Sequence, residues 1–175
     1  PPIWLAARDP NSHDFGVANG FNIQVTPLWQ GMEEITELMA RFNAACQKAA
    51  GKRPKVMLLH HCYVGRDAAD VEQAVVDLQR YYNYFGAWFQ NKREVRQGLI
   101  DPLSCTDIAA NPMFTRDKLM RDLTLGTAQQ VIDRLKRYQD LGYDEFAFWI
   151  DSGMSTARKR ASLARFIDDV MPAFQ

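Results

Sequence analysis

Apolar and polar positions group into blocks along this chain, and the blocks predict strands and helices in turn. Residues 1–25 read PPIWLAARDPNSHDFGVANGFNIQV: a short apolar run, a polar loop, a helix-sized segment ending at Gly20, and a second apolar run. Two further apolar runs, at residues 55–64 and 145–150, are bounded by turn residues and predict two more strands. Neither of these two runs alternates cleanly, which is typical of buried parallel strands.

Amphipathic helices are predicted between and after these strands. Apolar residues recur three or four positions apart in residues 35–46, 71–82, 131–138 and 163–170, so each segment has one stripe to bury against a sheet. Thr127 and Gln130 form a predicted capping box, and Gly20 and Gly142 are each predicted to close a helix just before a strand.

This order of strand and helix, repeated four times, predicts an α/β fold with a parallel sheet and right-handed crossovers. Such a sheet occurs in open doubly wound folds and in (β/α)8 TIM barrels, where four units make about half a barrel. The nucleotide-binding patterns GxGxxG and GxxxxGK[ST] are absent from the sequence, which favours the barrel. We therefore predict that residues 1–175 are a single domain of the (β/α)8 type.

Residues 91–125 are long for a connection and contain charged, proline-containing and short helical pieces. Long loops at the strand ends of a barrel are commonly lids or substrate walls, so we predict an insertion or lid between the third and fourth strands. The aromatic residues just before it have helical spacing, which favours core packing over a substrate or dimer surface.

Composition narrows the functional classes. Lys plus Arg and Asp plus Glu balance at 21 each, and no apolar run approaches the roughly 20 residues that span a bilayer. We therefore expect neither a nucleic-acid partner nor a membrane. The three cysteines lack CxxC spacing, which favours free thiols and a cytoplasmic location. Because the chain begins with proline, we expect it to start inside a coding sequence or to have been trimmed.

The loop at residues 8–13 is the first candidate site. It would lie at the carboxyl end of the first strand and bring Asn11 and Ser12 into the start of a helix, where free backbone N–H groups bind anions. The alternative is that Asn11 or Ser12 only caps the helix. His13 in this loop is expected either to hold phosphate or a proton, or to be a solvated loop histidine.

A second cluster, His60, His61 and Cys62, would place His60 and Cys62 on one face of a strand and His61 on the other. Without a second His/Cys pair nearby, a packed or substrate-facing role is favoured over zinc. Asp151 follows the fourth strand at the catalytic end of a barrel, although loop polarity explains it equally well. The hydrolase patterns GxSxG and HExxH are absent.

Taken together, three stretches resemble the bacterial luciferase-like, flavin-dependent monooxygenases. Residues 1–25 are similar to the fifth and sixth strand region of that family, residues 126–153 to its stretch through the eighth strand, and ASLARFIDDVMPAF to its final helix. The resemblance implies a (β/α)8 barrel enzyme in which reduced FMN and dioxygen oxygenate a small organic substrate, with this chain supplying about the last four βα units.

The resemblance also implies a set of cofactor contacts. It places Arg8, Asn11, Ser12 and His13 at the flavin phosphate and Thr26 near the flavin ring. Asp9 departs from the pattern, because a carboxylate there repels a phosphate.

No catalytic residue is assigned, since the acid/base histidine and much of the ring pocket of the family belong to the other half of the barrel. We expect an isolated chain to be unstable, or to associate with its missing N-terminal half-barrel or with a copy of itself. Two alternatives stay open: a deazaflavin-dependent oxidoreductase of the same superfamily, and a non-catalytic flavin-binding or scaffold fragment.

Overall fold

A computed structural model describes residues 1–49, 51–89, 93–151 and 153–174. The strands are β1 Trp4–Ala6, β2 Asn22–Val25, β3 Val56–Val64, β4 Val95–Arg96, β5 Leu99–Ile100, β6 Thr124–Gly126 and β7 Glu145–Trp149. The helices are α1 Pro10–Ala18, α2 Met32–Lys48, α3 Ala68–Phe89, α4 Cys105–Ala110, α5 Arg116–Asp122, α6 Ala128–Leu141 and α7 Thr156–Arg165. A π-helical turn, Phe166–Val170, and a 3₁₀ turn, Met171–Phe174, continue α7.

The main sheet is parallel, as the strand and helix order predicts. β1 pairs with β2, and β2 pairs with β3. The longer β3 then pairs with β7 along Met57–His61 and with β6 along Cys62–Val64. The four predicted strands are confirmed, whereas β6 is a strand that the sequence pattern missed. Three residues are too few to produce a recognisable strand pattern.

Two hydrophobic cores lie on opposite faces of β3, because successive side chains of a strand point to opposite sides. Leu58, Cys62 and Val64 pack in the first core, with the apolar stripes of α2 and α6. Tyr63 packs in the second core, with the stripes of α3 and α5. α3 therefore covers the sheet face opposite to α2 and α6, at the carboxyl end of β3.

Both predicted helix-ending glycines are confirmed. Gly20, just after α1, has φ +69°, and Gly142, the C-cap of α6, has φ +102°, a left-handed conformation that disfavours a side chain. At the other end of α6 the predicted capping box is also present, with the Gln130 Oε1 accepting the backbone N–H of Thr127 at 2.9 Å.

The segment 91–125 has several short elements in its described part; residues 91 and 92 lie outside the described residues. It contains the antiparallel hairpin of β4 and β5, then α4, α5 and the start of β6. Phe114 and Leu119 are buried in the second core, so the segment packs onto α3. Within the described part of the chain, no helix has the length and apolarity needed to cross a bilayer.

Candidate active site at the carboxyl edge of the sheet

One face of the main sheet is only half-buried. Strand alternation and register place on this face Trp4 of β1, Gln24 of β2, Met57 and Leu59 of β3, and Ala147 and Trp149 of β7. All of these strands run in the same direction, so their carboxyl ends meet at one edge, which is where barrel enzymes carry their active sites. The candidate site lies where this face reaches that edge, under α3.

His61 is the polar centre of the site. Its Nε2 lies 3.0 Å from the backbone oxygen of Asp151, and its Nδ1 lies 2.5 Å from the hydroxyl of Tyr82. A carbonyl oxygen only accepts, so Nε2 carries the proton and Nδ1 accepts the Tyr82 hydroxyl. Burial lowers the pKa of His61 to about 4, which keeps the ring neutral at pH 7 and fits this tautomer.

The Tyr82 hydroxyl oxygen also lies 3.4 Å from the backbone oxygen of Leu28, in the loop that follows β2. Leu28 has φ +60°, a left-handed conformation that is uncommon for a residue other than glycine and is concentrated at functional sites. The hydrogen-bonded chain from Tyr82 through His61 to Asp151 joins α3 to the carboxyl ends of β3 and β7. The Leu28 carbonyl lies beside it but shares no second proton, since the single Tyr82 hydroxyl proton is donated to His61.

Aromatic rings surround His61. Its imidazole stacks on the indole of Trp149, with ring centroids 3.9 Å apart and an interplanar angle of 17°. Tyr81 and Tyr82 approach it edge-on, with centroids 5.4 and 5.2 Å away. Trp29 meets Tyr82 and three other rings edge-to-face, and those three are Phe85, Phe89 and Phe114. The result is an aromatic wall around His61, whose side chain is buried.

His60 and Cys62 face the first core instead, as strand alternation predicts. His60 Nδ1 lies 3.1 Å from the hydroxyl of Thr124, and burial, with the nearby His61, lowers the pKa of His60 to about 3. Burial raises the pKa of the Cys62 thiol well above its usual range. Among the described residues, no group of three His, Cys, Asp or Glu side chains is placed to hold a metal ion.

At the start of α1, the capping residue is Asp9, not Asn11 or Ser12. Its carboxylate accepts the backbone N–H of Ser12 at 3.0 Å and the Ser12 hydroxyl at 2.5 Å. These hydrogen bonds lower the pKa of Asp9. Asp9 thus occupies the helix end where we expected an anion, while Asn11 is exposed beside it.

Arg8 points to α2 rather than into the loop. Its Nη2 donates to Glu34 at 3.0 Å and to Gln30 at 3.2 Å, and its backbone oxygen accepts from Arg41 at 2.7 Å. The Arg8 charge is therefore already paired with a carboxylate.

His13 lies in α1 and is fully buried, so the solvated loop histidine we considered is ruled out. Its Nδ1 donates to the backbone oxygen of Asp9 at 2.9 Å, and its Nε2 has no hydrogen-bond partner among the described residues. Thr26 directly follows β2, and its hydroxyl accepts the backbone N–H of Leu28 at 3.2 Å, which is the strand-end hydrogen bond that we considered as the alternative role.

Comparison with known proteins identifies the family. The sequence model described as luciferase-like monooxygenase matches residues 1–145. The chain belongs to the luciferase-like monooxygenase family. The resemblance stated from the sequence is thereby confirmed.

The most informative relative of this luciferase-like chain is the oxygenase component of the flavin-dependent trigonelline monooxygenase of Acinetobacter baylyi. The two are 56% identical over 175 residues, which are 99% of this chain and 49% of the relative. The chain thus spans about half the length of the curated relatives it matches.

Solved structures give the same fold. The oxygenating constituent of 3,6-diketocamphane monooxygenase from Pseudomonas putida, in complex with FMN, superposes with a TM-score of 0.66 at 13% identity, over 99% of this chain and 49% of that one. The coenzyme F420-dependent tetrahydromethanopterin reductase of Methanopyrus kandleri has a TM-score of 0.66 at 11% identity, over 99% of this chain and 51% of that one. The predicted (β/α)8 type, represented here by about half a barrel, is confirmed.

Sequence reasoning singled out His61 and Asp151 without giving either a catalytic role, and it missed the partners that organise this candidate site. Tyr82 is buried in the second core, as expected, but its hydrogen bond to His61 was not predicted, and Trp29 and Trp149 were not singled out. The signal that was available is the position of both tryptophans, each at the carboxyl end of a predicted strand. Tyr82 is on α3, and only the structure shows against which face of the sheet that helix packs.

Proposed function

We propose that this protein is the oxygenating part of a flavin-dependent monooxygenase, which uses reduced FMN and dioxygen to oxygenate a small organic substrate. The observation that carries the proposal is the aromatic site around His61 at the carboxyl edge of the half-buried sheet face. The relative that is 56% identical, a flavin-dependent monooxygenase, supports it. When bound, the reduced flavin supplies the electrons that activate dioxygen.

The residues of the site fit a flat, partly apolar cofactor ring. Trp149 is half-buried, with one indole face stacked on His61. The neutral His61 is held at both ring nitrogens, which fixes the orientation of that stack. In this proposal the surrounding rings and the bound flavin together exclude water, which strengthens electrostatic interactions inside the site and protects reactive species from water. Residues 91–125 supply part of this enclosure through Phe114, and we propose that the segment is a wall of the site.

The phosphate end of FMN is proposed to bind beside the first turn of α1. Asn11 is exposed there and Ser12 carries a hydroxyl, so both can donate to a phosphate oxygen, while His13 is buried on the same turn of α1. Arg8 contributes positive charge nearby and Thr26 contacts the ring system in this proposal. Because Asp9 already holds the Ser12 hydroxyl and backbone N–H, phosphate binding has to compete with that carboxylate.

The open edges of the sheet support a proposal for the partner. Among the described residues, β1 pairs only with β2 and β7 only with β3, so each edge strand leaves one side of its backbone unpaired. Exposed apolar side chains occur in the elements that follow these edge strands or adjoin them in sequence: Ile3 directly before β1, Phe15 on α1, and Ile167 and Met171 in the turns that continue α7. We propose that a second half-barrel, either the missing N-terminal half or another copy of this chain, covers these edges. Analytical ultracentrifugation that finds a stable, well-folded monomer of the chain by itself would contradict this.

Trigonelline, the substrate in the name of the relative, is the proposed type of substrate: a small, planar, N-methylated pyridine carboxylate. A location in a reducing compartment such as the cytoplasm is also proposed, since Cys46, Cys62 and Cys105 are all free thiols.

The F420-dependent reductase supports a second candidate, a deazaflavin-dependent oxidoreductase that transfers hydride without oxygen, because its structure matches as well as that of the FMN enzyme. Titration of the protein with FMN and with F420, followed by flavin fluorescence, distinguishes the two cofactors. Tighter binding of F420 would favour the reductase.

The oxygenase reaction is tested on the complete barrel, this chain together with its N-terminal half, with chemically reduced FMN, trigonelline and ¹⁸O₂, since we expect this chain by itself to be inactive. We expect one ¹⁸O atom in the organic product, and an unlabelled or unchanged substrate would contradict the proposal. If the fluorescence of FMN does not change when protein is added at micromolar concentration, the chain is a scaffold or binding fragment and not an oxygenase.

A further inference from the structure

A cleft of about 600 Å³ opens next to the site, between α3, the hairpin strand β5 and the loop before α7. Its volume lies in the range of small-molecule pockets. One face of α3 forms the long wall of the cleft, since the lining residues of this helix are spaced three and four positions apart. The lining residues are Asp77, Arg80, Tyr81, Tyr84, Phe85 and Trp88 of α3, with Ile100 and Gly153 opposite.

The aromatic wall of this cleft is suited to a flat ring. Tyr81 and Phe85 are stacked on each other, with centroids 5.8 Å apart and an interplanar angle of 17°. Trp88 is 62% exposed, so a large aromatic surface remains uncovered by the protein. Aromatic faces of this kind stack on planar ligands and attract cationic rings.

Charge in the cleft is positive at Arg80. Among the described residues Arg80 makes no hydrogen bond or ion pair. The nearby carboxylates are neutralised instead: Asp77 pairs with Arg158, and Asp151 pairs with Lys159 at 2.8 Å. An unpaired guanidinium beside aromatic rings recognises a carboxylate, which it binds through two parallel hydrogen bonds.

The cleft is connected to the site around His61. Tyr81 lines the cleft and also contacts the His61 ring edge-on at 5.4 Å. A ligand stacked on Tyr81 therefore lies next to the stack of His61 and Trp149, where the proposed flavin chemistry takes place.

We propose that this cleft binds a planar heteroaromatic carboxylate, with Tyr81 and Trp88 stacking on the ring and Arg80 holding the carboxylate. Its role as the substrate site rests on the proposed function, whereas the binding itself does not. Arg80 is then the residue that distinguishes acids from their uncharged analogues.

The test uses nicotinate and nicotinamide, which share one ring and differ in the carboxylate. Ligand-observed NMR with the flavin-free chain measures both dissociation constants. We expect nicotinate to bind about tenfold more tightly than nicotinamide, the size of one charge-assisted interaction. Arg80→Gln is expected to remove this difference. Trp88→Ala is expected to weaken the binding of nicotinate and of nicotinamide by the same factor.

Arg137→Gln is the matched control, because Arg137 is an exposed arginine on α6, on the other side of the sheet. Circular dichroism verifies that each variant is folded. The proposal is overturned if the folded chain binds neither ligand at 10 mM, if it binds both equally, or if Arg80→Gln retains the preference for nicotinate. Loss of FMN binding or of oxygenation, with the nicotinate preference intact, would contradict the proposed function and leave this inference standing.

Discussion

Tyr82→Phe isolates the hydrogen bond on which the geometry of the site depends. Tyr82 and His61 are both buried, and the substitution removes only the hydroxyl that donates to His61 Nδ1 at 2.5 Å. Phenylalanine fills nearly the same volume, so little cavity cost is added. The His61 nitrogen is then left in the core without a donor among the described residues. A buried acceptor without a partner costs about 1–3 kcal/mol, which is the expected fall in the free energy of unfolding.

Urea unfolding at pH 7 measures this loss, and thermal unfolding gives a second estimate. For a chain of this size, each kcal/mol lowers the melting temperature by about 2–4 °C. Tyr84→Phe is the matched control, because Tyr84 is on the same helix, is 47% exposed, and has no hydroxyl partner among the described residues. The control is expected to stay within about 0.5 kcal/mol. If Tyr82→Phe costs no more than the control, Tyr82 does not hold His61.

Three further predictions concern the buried histidines, the start of α1 and the packing of α3. Lowering the pH from 7 to 5 is expected to reduce the free energy of unfolding by about 2 kcal/mol for each of His60 and His61. In the unfolded chain these histidines bind protons near pH 6.5, whereas in the folded protein pKa values of about 3 for His60 and about 4 for His61 keep both rings neutral. Urea titrations at pH 7, 6 and 5 measure this, and a flat profile contradicts it. Asp9→Asn keeps a good helix cap but removes a negative charge, so FMN is expected to bind about threefold more tightly while riboflavin, which lacks the phosphate, is unchanged; equal changes for both ligands would place the phosphate elsewhere. In Gly86→Ala the new Cβ would lie 2.4 Å from the buried ring of Phe114, so a loss of about 1–3 kcal/mol is expected despite the better helix propensity of alanine. A raised melting temperature would mean that the ring repacks freely.

Local chemistry made most of the elements predictable. Gly20 and Gly142 end helices because their conformation disfavours a side chain, and the capping box at Thr127 and Gln130 joins neighbours in sequence. Long apolar runs such as β3 are recognisable without their partners. β6 was missed because its three residues are identified as a strand only by their pairing with Cys62–Val64.

The candidate site was less predictable, since its contacts join distant residues. The composition of the loop at residues 8–13 correctly indicated a helix start, but not that Asp9 would be the cap that occupies it. Likewise, the sequence separated His60 from His61 by strand alternation. Their opposite environments, one against Thr124 and one against Tyr82, depend on which helices cover the two faces.

By itself the sequence determined the alternation of strands and helices, the parallel sheet, and a resemblance to the luciferase-like family, because these follow from short-range periodicity and from motif order. The tertiary structure alone decided that α3 covers the opposite sheet face from α2 and α6, and therefore that Tyr82, His61 and Trp149 meet at one edge. An amphipathic stripe specifies that a helix must bury one side. It does not specify the surface against which that side packs, and here that choice creates the site.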